Sequence, residues 1–392
     1  WVSPANRAVL VDFLRRRLKP GGIAYVSYNI PAGWTAMSSM RTLFKRFADT
    51  QCAPGLGAVG RAEAAIDHVE RLLALEPGHA AAQPRLADRV AGLRGVDRHY
   101  LVHEYLNEDW HPMDIGAIAG ELAEAKLTLA TSADPLDGIA ALHLTEAQRA
   151  HLDGLADPIF REMTRDLVLD RMFRRDLWVK GDRVLPPLAR TEVFGRFHVR
   201  LLAAPADIEL TVGGRLGGAA LAVDIYGPLI ERLADGAACR VADLAVDLAG
   251  RGITWAQVVE ALLVLLAKGV LAPVADPDAA AAARPAATAF NDRILGRVAV
   301  GRDIGLLVSP ETGGGVPVDL VGQIFLIARR AGAATPEDLA DRAWAILLAR
   351  RQTLLEDGRP VETVEENRAL LLAKATTFLA DRLPLLERLG IA

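Results

Sequence analysis

Lys19-Pro20-Gly21-Gly22-Ile23-Ala24-Tyr25-Val26-Ser27-Tyr28-Asn29 reads as the back half of an α/β unit. Ahead of it, Ser3-Pro4 offers a hydroxyl N-cap and a proline at the first helical position. Leu10, Val11, Phe13, Leu14 and Leu18 then fall on a helical stripe. Pro20-Gly21-Gly22 stops that helix, because proline has no N–H to donate and glycine accepts positive φ. Residues 23–26 are β-branched and aromatic, the composition of a buried strand. A helix feeding such a strand predicts a parallel sheet covered on both faces. Only two residues precede Ser3, so the expectation is a chain that starts part-way through its sheet domain. An unpaired strand is an aggregation liability, so 23–28 is expected to pair with the later candidates at 127–131 and 172–179.

Composition narrows the function classes. The chain has 392 residues, 51% hydrophobic and 24% charged, enough for two or more domains with real cores. A net charge of −4 gives no global case for nucleic acid or an anionic membrane. Cys52 and Cys239 are too few and too far apart for a disulfide framework or a zinc site, so a reduced cytoplasm is the expected compartment. The most apolar run, 258–274, is broken by Glu260 and Lys268 and is too short to cross a bilayer. The chain begins without an initiator methionine and without a basic-then-apolar leader.

Further along, Ile30-Pro31-Ala32-Gly33-Trp34 reads as a loop. Helices are predicted over 35–47, 61–75, 84–93 and 114–125, with a polar and aromatic segment at 97–107. Residues 127–131 and 172–179 read as strands, 145–169 as helical, and Lys180-Gly181-Asp182 as a turn. A helix-rich block between strand candidates is the pattern of an insertion into a sheet domain. From Arg196, short strands at 197–202 and 208–212 precede helices at 225–233, 241–249 and 255–267 and a strand from Lys268, an order that resembles a winged helix. Residues 276–288 are Ala/Pro-rich and read as a linker. Thr335-Pro336 starts a helix expected to run to 356 and end at Asp357-Gly358, and Thr363-Val364-Glu365-Glu366 is a capping box for a helix over 365–382.

Few motifs carry chemistry. Gly213-Gly214 with Gly217-Gly218 lacks dinucleotide spacing, and Gly313-Gly314-Gly315 lacks the Lys-Ser/Thr of a phosphate loop, so both read as turns. His99, His103 and His111 offer no third ligand at metal spacing, and no metal is expected. The would-be recognition helix 255–267 presents only Gln257 and Glu260, while its block 240–268 nets to zero charge. DNA contact needs phosphate-neutralising cations and base-edge donors, so that block is expected to face protein or to be structural. Tyr28, Asn29 and Trp34 sit at the carboxyl end of the first strand, where open α/β sheets bind ligands. An amide both accepts and donates, and aromatic faces attract ammonium groups; the same aromatics also serve as core.

With these residues in view, the chain resembles bacterial class I S-adenosylmethionine-dependent methyltransferases that carry a methyltransferase regulatory domain. It is most similar to the group that includes protein-lysine methyltransferases acting on outer-membrane proteins. The residues that carry the likeness are Trp1-Val2-Ser3-Pro4, Lys19-Pro20-Gly21-Gly22, Ser27-Tyr28-Asn29 and Gly33-Trp34. Further on they are His103-Glu104-Tyr105-Leu106-Asn107 with Trp110 and Pro112, Arg175-Asp176 with Gly181, and Ser309-Pro310-Glu311-Thr312-Gly313-Gly314-Gly315. The likeness spans essentially the whole chain. In that family the cofactor loop and the acidic residue after the second strand precede the position of Trp1.

The resemblance implies an α/β plus mostly α protein: a partial Rossmann-like methyltransferase sheet with a helical insertion, a winged-helix domain and a C-terminal helical domain. The expected parts are 1–35 and 127–190 for the sheet domain, 36–126 for the regulatory insertion, 191–275 for the winged helix, 276–288 for the linker and 289–392 for the helical domain. The implied reaction moves a methyl group from S-adenosylmethionine to a protein lysine, with Tyr28, Asn29 and Trp34 lining the acceptor channel. His103, Glu104, Tyr105 and Asn107 form a lid or orient the substrate. No cofactor-binding residue is assigned, and this chain alone is expected to bind S-adenosylmethionine weakly or not at all. The implied partner is a protein substrate such as an outer-membrane protein, with neither nucleic acid nor membrane. Two other classes share the pattern, a non-catalytic protein-interaction module and a small-molecule methyltransferase.

Overall fold

Ser3 Oγ accepts from Asn6 N and caps helix α1 (Pro4–Arg17), with Pro4 at its first position. The chain turns through Gly21, at φ 79°, into strand β1 (Ile23–Asn29). This computed structural model describes residues 1–298, 304–356 and 359–392. They form two compact units, residues 1–184 with 213–219, and 185–212 with 220–392.

In the first unit, α2 (Pro31–Thr50) begins where a loop was expected at 30–34. Pro31 explains the difference: its fixed φ and missing N–H suit the first helical position, where that N–H has no partner to lose. Helices α3 (Gly57–Leu73), α4 (Gly78–Ala81), α5 (Leu86–Gly92), α6 (Arg98–Leu106) and α7 (Ile115–Ala123) follow. Asp97 and Asp114 cap α6 and α7. After β2 (Leu127–Ser132), the stretch expected as one helix over 145–169 is two, α8 (Glu146–Asp153) and α9 (Pro158–Val168). Gly154 ends the first and Asp157-Pro158 caps and starts the second. Strand β3 (Phe173–Lys180) closes the set. One core lies among α2, α3, α5 and α6 around Met37, Phe44, Ile66, Val69, Val90 and Leu101. A second joins the sheet to α7 through Ala24, Tyr28, Ile115, Leu122, Leu127 and Trp178.

The sheet runs in the order β1-β3-β2, and both pairings are antiparallel. Asn29 stands opposite Phe173 and Tyr28 opposite Arg174, while β2 carries a bulge between Leu129 and Thr131. The strand at 23–28 therefore pairs with 172–179 but not with 127–131. The expected buried strand of a parallel sheet is an edge strand instead, with Ile23 and Tyr25 at 59% and 57% exposure on its open face. Apolar residues occupy both faces of this strand, so composition alone does not separate a doubly covered strand from an edge strand.

The second unit opens with α10 (Pro187–Gly195) and β4 (His198–Leu201). Strands β5 (Thr211–Gly214) and β6 (Gly217–Ala220) pair with each other, with residues 213–219 of this hairpin belonging to the first unit, and β5 lies about three residues beyond the strand expected at 208–212. Next come α11 (Val223–Arg232), β7 (Cys239–Arg240), α12 (Val241–Ala249), α13 (Trp255–Ala267) and β8 (Leu271–Val274). Strand β4 pairs antiparallel with β7 on one side and β8 on the other. Residues 276–288, expected as a linker, are instead the start of α14 (Pro277–Gly296). Asp276 caps it, Pro277 stands at its first turn, and the alanine run that suggested low complexity is also the strongest helix former.

Strands β9 (Leu306–Val308) and β10 (Gly315–Pro317), α15 (Leu320–Arg330) and α16 (Pro336–Ala349) follow. The latter ends with Arg351 at φ 55°, short of the expected 356, and Asp357-Gly358 lies outside the described residues. The short strands β11 (Leu355–Glu356) and β12 (Arg359–Pro360) precede α17 (Val364–Thr377), whose Thr363–Glu366 capping box is formed. A π-helical turn at Phe378–Arg382 carries the chain into α18 (Leu383–Arg388). Leu307, Ile324, Phe325, Leu339, Leu371 and Leu386 centre this unit's core. Among the described residues no helix is long and apolar enough to cross a membrane.

Candidate functional site

Strand β1 ends at Asn29 because Ile30 N donates to Met172 O at 2.9 Å and Pro31 starts α2. Asn29 is half-buried there, and its carbonyl accepts from Met113 N at 2.9 Å. Its side chain meets α6: Asn29 Nδ2 donates to Glu104 Oε1 at 2.7 Å. Glu104 is only 3% exposed, and the same oxygen accepts from Trp110 Nε1 at 3.0 Å. Tyr100, one turn earlier on α6, donates its hydroxyl to Glu104 Oε2 at 3.4 Å.

This geometry fixes the amide. A carboxylate can only accept, so Asn29 turns its NH2 toward Glu104 and its Oδ1 away. Among the described residues no donor is bonded to Asn29 Oδ1. The result is an oriented carbonyl at the end of a strand, held by a buried anion whose own acceptors are occupied. Such a group can accept from an amine or ammonium N–H.

Tyr28 points to the other face of β1. It is buried, and its hydroxyl donates to Asp176 Oδ2 at 2.6 Å. Arg174 lies beside it on β3, donating to Asp176 Oδ2 and to Asp166 Oδ1, both at 2.8 Å, and to Glu162 Oε2 at 2.9 Å. Burial, reinforced by the Asp176 carboxylate, pushes the Tyr28 phenol far above its ordinary pKa, so it stays protonated. Sequence reasoning missed Arg174, Asp166 and Glu162, and met Asp176 only through the resemblance. A signal existed: Arg174, Asp176 and Trp178 alternate at strand period, which puts two charges on the face of a buried tryptophan.

The other expected residues divide. Trp34 and Tyr105 lie in the helical core behind the Asn29–Glu104 pair, with Trp34 edge-on to Trp110 at 5.1 Å and Tyr105 edge-on to Phe44 at 5.5 Å. Burial, with the Glu104 charge, raises the Tyr105 phenol above its usual range. His103 is exposed and neighbours Trp1, ring centroids 6.1 Å apart, away from the Glu104 carboxylate. Asn107 Oδ1 accepts from Asp109 N at 3.0 Å, and its carbonyl accepts from Arg41. The Arg41 guanidinium lies 5.0 Å from the Trp110 ring centroid, a contact not expected from the sequence. Asn29 and Glu104 are thus brought together, Trp34 and Tyr105 support them, and His103 stands apart.

Residues 97–180 match the family described as "Predicted methyltransferase regulatory domain". The uncharacterized protein sll1526 of Synechocystis sp. is 32% identical over 392 residues, all of this chain and 76% of that protein. The chain belongs to the methyltransferase family that carries this regulatory domain. Its fold is similar to that of PKMT2 from Rickettsia typhi in complex with AdoHcy, at a TM-score of 0.66 and 15% identity over 100% of this chain and 79% of that one. A second structure of PKMT2 from Rickettsia typhi matches at a TM-score of 0.56 and 15% identity, covering 78% of that chain. The regulatory-domain match takes in β2 and β3, and overlaps the insertion expected at 36–126 only in residues 97–126.

For this methyltransferase-family chain, the fit of an S-adenosylmethionine-type cofactor rests on the β1–α2 junction and on the glycines of two strand-to-strand turns. Such a group needs backbone N–H donors and a glycine cradle where a strand enters a helix. Where β1 enters α2, Pro31 has no N–H to offer. Gly33 is closed by the chain itself, since an added Cβ would stand 2.7 Å from Arg171 O. Gly214 is packed too, with Leu142 O at 2.2 Å from such a Cβ, and Gly313 belongs to the turn between two strands. These places do not fit an adenosyl group. Asn29 Oδ1 fits an amine.

Proposed function

We propose that this chain positions the side-chain amine of a protein lysine as the acceptor in S-adenosylmethionine-dependent methyl transfer. The observation that supports the reading is the Asn29–Glu104 hydrogen bond, which leaves Asn29 Oδ1 oriented and free. A neutral amine that donates one N–H to this oxygen has its lone pair held in a defined direction. For displacement at a methyl group, positioning of this kind supplies much of the rate. S-adenosylmethionine supplies the methyl group in this reading, and the residues described here act on the acceptor. An outer-membrane protein is the acceptor that the family likeness favours. The β7-β4-β8 sheet with α11, α12 and α13 supports a winged-helix reading of its block, and the scarcity of cations on α13 supports a protein-facing role.

Lysine methylation of envelope proteins, read by mass spectrometry in cells carrying the native gene or a variant, tests this. We expect methyl marks with the native gene and their loss with Asn29→Ala. Glu104→Gln is expected to lower them about tenfold or more, because its NH2 faces donors and no longer dictates the Asn29 orientation. Unchanged lysine marks with Asn29→Ala at equal protein abundance overturn the proposal.

A further inference from the structure

On the other side of the β1–α2 connection lies a cleft of about 360 Å³, lined from α5, the β2 end, the start of β3 and Arg215. Arg85, Arg89, Arg171, Arg175 and Arg215 line it, against three carboxylates, Asp134, Asp137 and Asp170. Two of those carboxylates are used up: Asp137 holds Arg171 through two bonds of 2.8 and 3.0 Å, and Asp134 holds Arg175 at 3.0 Å. Asp170 is left to face both Arg85, at 3.8 Å, and Arg89, at 3.7 Å, too long for hydrogen bonds. Arg89 Nη1 donates to Gly33 O, whereas no acceptor among the described residues reaches the guanidinium of Arg215. His143 fixes that arginine's backbone, its Nδ1 accepting from Arg215 N at 3.3 Å while Nε2 faces Leu136 O at 3.1 Å. Arg85 and Arg89 therefore share one carboxylate and Arg215 has none among the described residues, so the wall keeps unmatched positive charge and free forked donors.

We propose that this cleft binds an acidic side chain of the acceptor polypeptide, an Asp or Glu close in sequence to the target lysine. This rests on the lysine-acceptor reading and names what that acceptor must carry. Arginine forks match carboxylates bidentately, and 360 Å³ holds a side chain with its flanking backbone. Leu169, Met172 and the half-exposed Phe173 supply apolar wall, which suits a peptide. The interspersed Asp134, Asp137 and Asp170 oppose a continuous phosphate backbone, which separates a peptide from a nucleic acid. The distance to the amine site is short along the fold. Phe173 lines the cleft and stands opposite Asn29 in the sheet, and Gly33 N donates to Arg171 O at 2.9 Å.

Fluorescence anisotropy of the full chain with a labelled Lys-containing peptide rich in Glu tests the proposal, without cofactor or turnover. The acidic peptide is expected to bind, weakening as salt rises, and its neutral Gln counterpart to bind at least tenfold less tightly. Arg85→Ala with Arg215→Ala is expected to weaken the acidic peptide about tenfold, and Arg85→Lys with Arg215→Lys to recover part of it. Both side chains are exposed, and circular dichroism of the variants checks the fold. Equal binding of the two peptides, no effect of the double alanine variant, or tighter binding of a single-stranded oligonucleotide overturns the acidic-peptide site. Peptide binding as expected with lysine marks that ignore Asn29→Ala overturns the methylation reading alone. Marks that depend on Asn29 with no preference for the acidic peptide overturn the cleft alone.

Discussion

Arg174 is fully enclosed, at 1% exposure, and its neighbours decide how the sheet responds to pH. Burial alone would lower its pKa, but Asp176 and Asp166 hold it charged. Asp166 carries the strain of this arrangement: Oδ1 is bonded to Arg174, while Oδ2 is buried with no partner among the described residues. Burial pushes its carboxyl up to about 6, against the pull of Arg174 and Arg171. Folding thus raises this group's affinity for a proton, and its stabilisation is complete below the unfolded pKa of 3.8 and lost as pH rises through about 6. Between pH 4 and 6.5, urea unfolding of the native chain should therefore show a falling contribution that Asp166→Asn lacks. The difference is on the order of 1–3 kcal/mol, with the native chain the more pH-sensitive. A difference that is flat with pH would show Asp166 to be ionised throughout. Nothing in the local sequence announced Asp166, because the helix that carries it meets Arg174 only through the tertiary fold. Asn29 and Glu104 were legible as separate residues. Their hydrogen bond, across 75 positions, was not.

Element by element, the sequence was clearest where caps and prolines act locally. Ser3-Pro4, Thr335-Pro336 and Thr363 all start helices as their chemistry requires. Proline and alanine act here by position and not by composition: Pro31 opens α2, and the Ala/Pro run belongs to α14. The strand at 23–29 was legible as a strand, but its pairing direction depends on which later strand returns beside it. Gly33 ties these elements to the site. Its Cα packs so closely that a Cβ would meet Met172 Cγ at 2.6 Å and the Arg171 backbone at 2.7 Å, and backbone does not yield as a flexible side chain does. Gly33→Ala should cost about 1–3 kcal/mol in denaturant unfolding and displace the start of α2 from β3. Since Asn29 and Arg89 are both held at this corner, the same variant should reduce lysine marks and acidic-peptide binding together. A variant as stable as the native chain would show that the corner has room to relax.

For the molecule as a whole, residues proposed to hold an acceptor and residues that would hold a methyl donor make opposite demands on the backbone. The proposed acceptor site needs a rigid carbonyl backed by packed aromatics, and Asn29 oriented by Glu104 beside Trp34 and Trp110 has that form. A donor site needs open glycine backbone at a strand end, and the β1–α2 corner is closed by Pro31 and by Gly33 against Arg171. Of the short motifs that carried the family likeness, Ser27-Tyr28-Asn29 and Gly33-Trp34 sit at this corner and His103-Glu104-Tyr105-Leu106-Asn107 on and just after α6. Membership alone does not say which half of the reaction a set of residues serves. Calorimetry of this 392-residue chain with S-adenosylmethionine should show no micromolar binding, with circular dichroism as the check that the chain is folded. A saturable micromolar isotherm would mean that backbone donors elsewhere in the chain form the cradle. In that case Gly33→Ala would leave the isotherm intact, since the β1–α2 corner would not be the place where the donor sits.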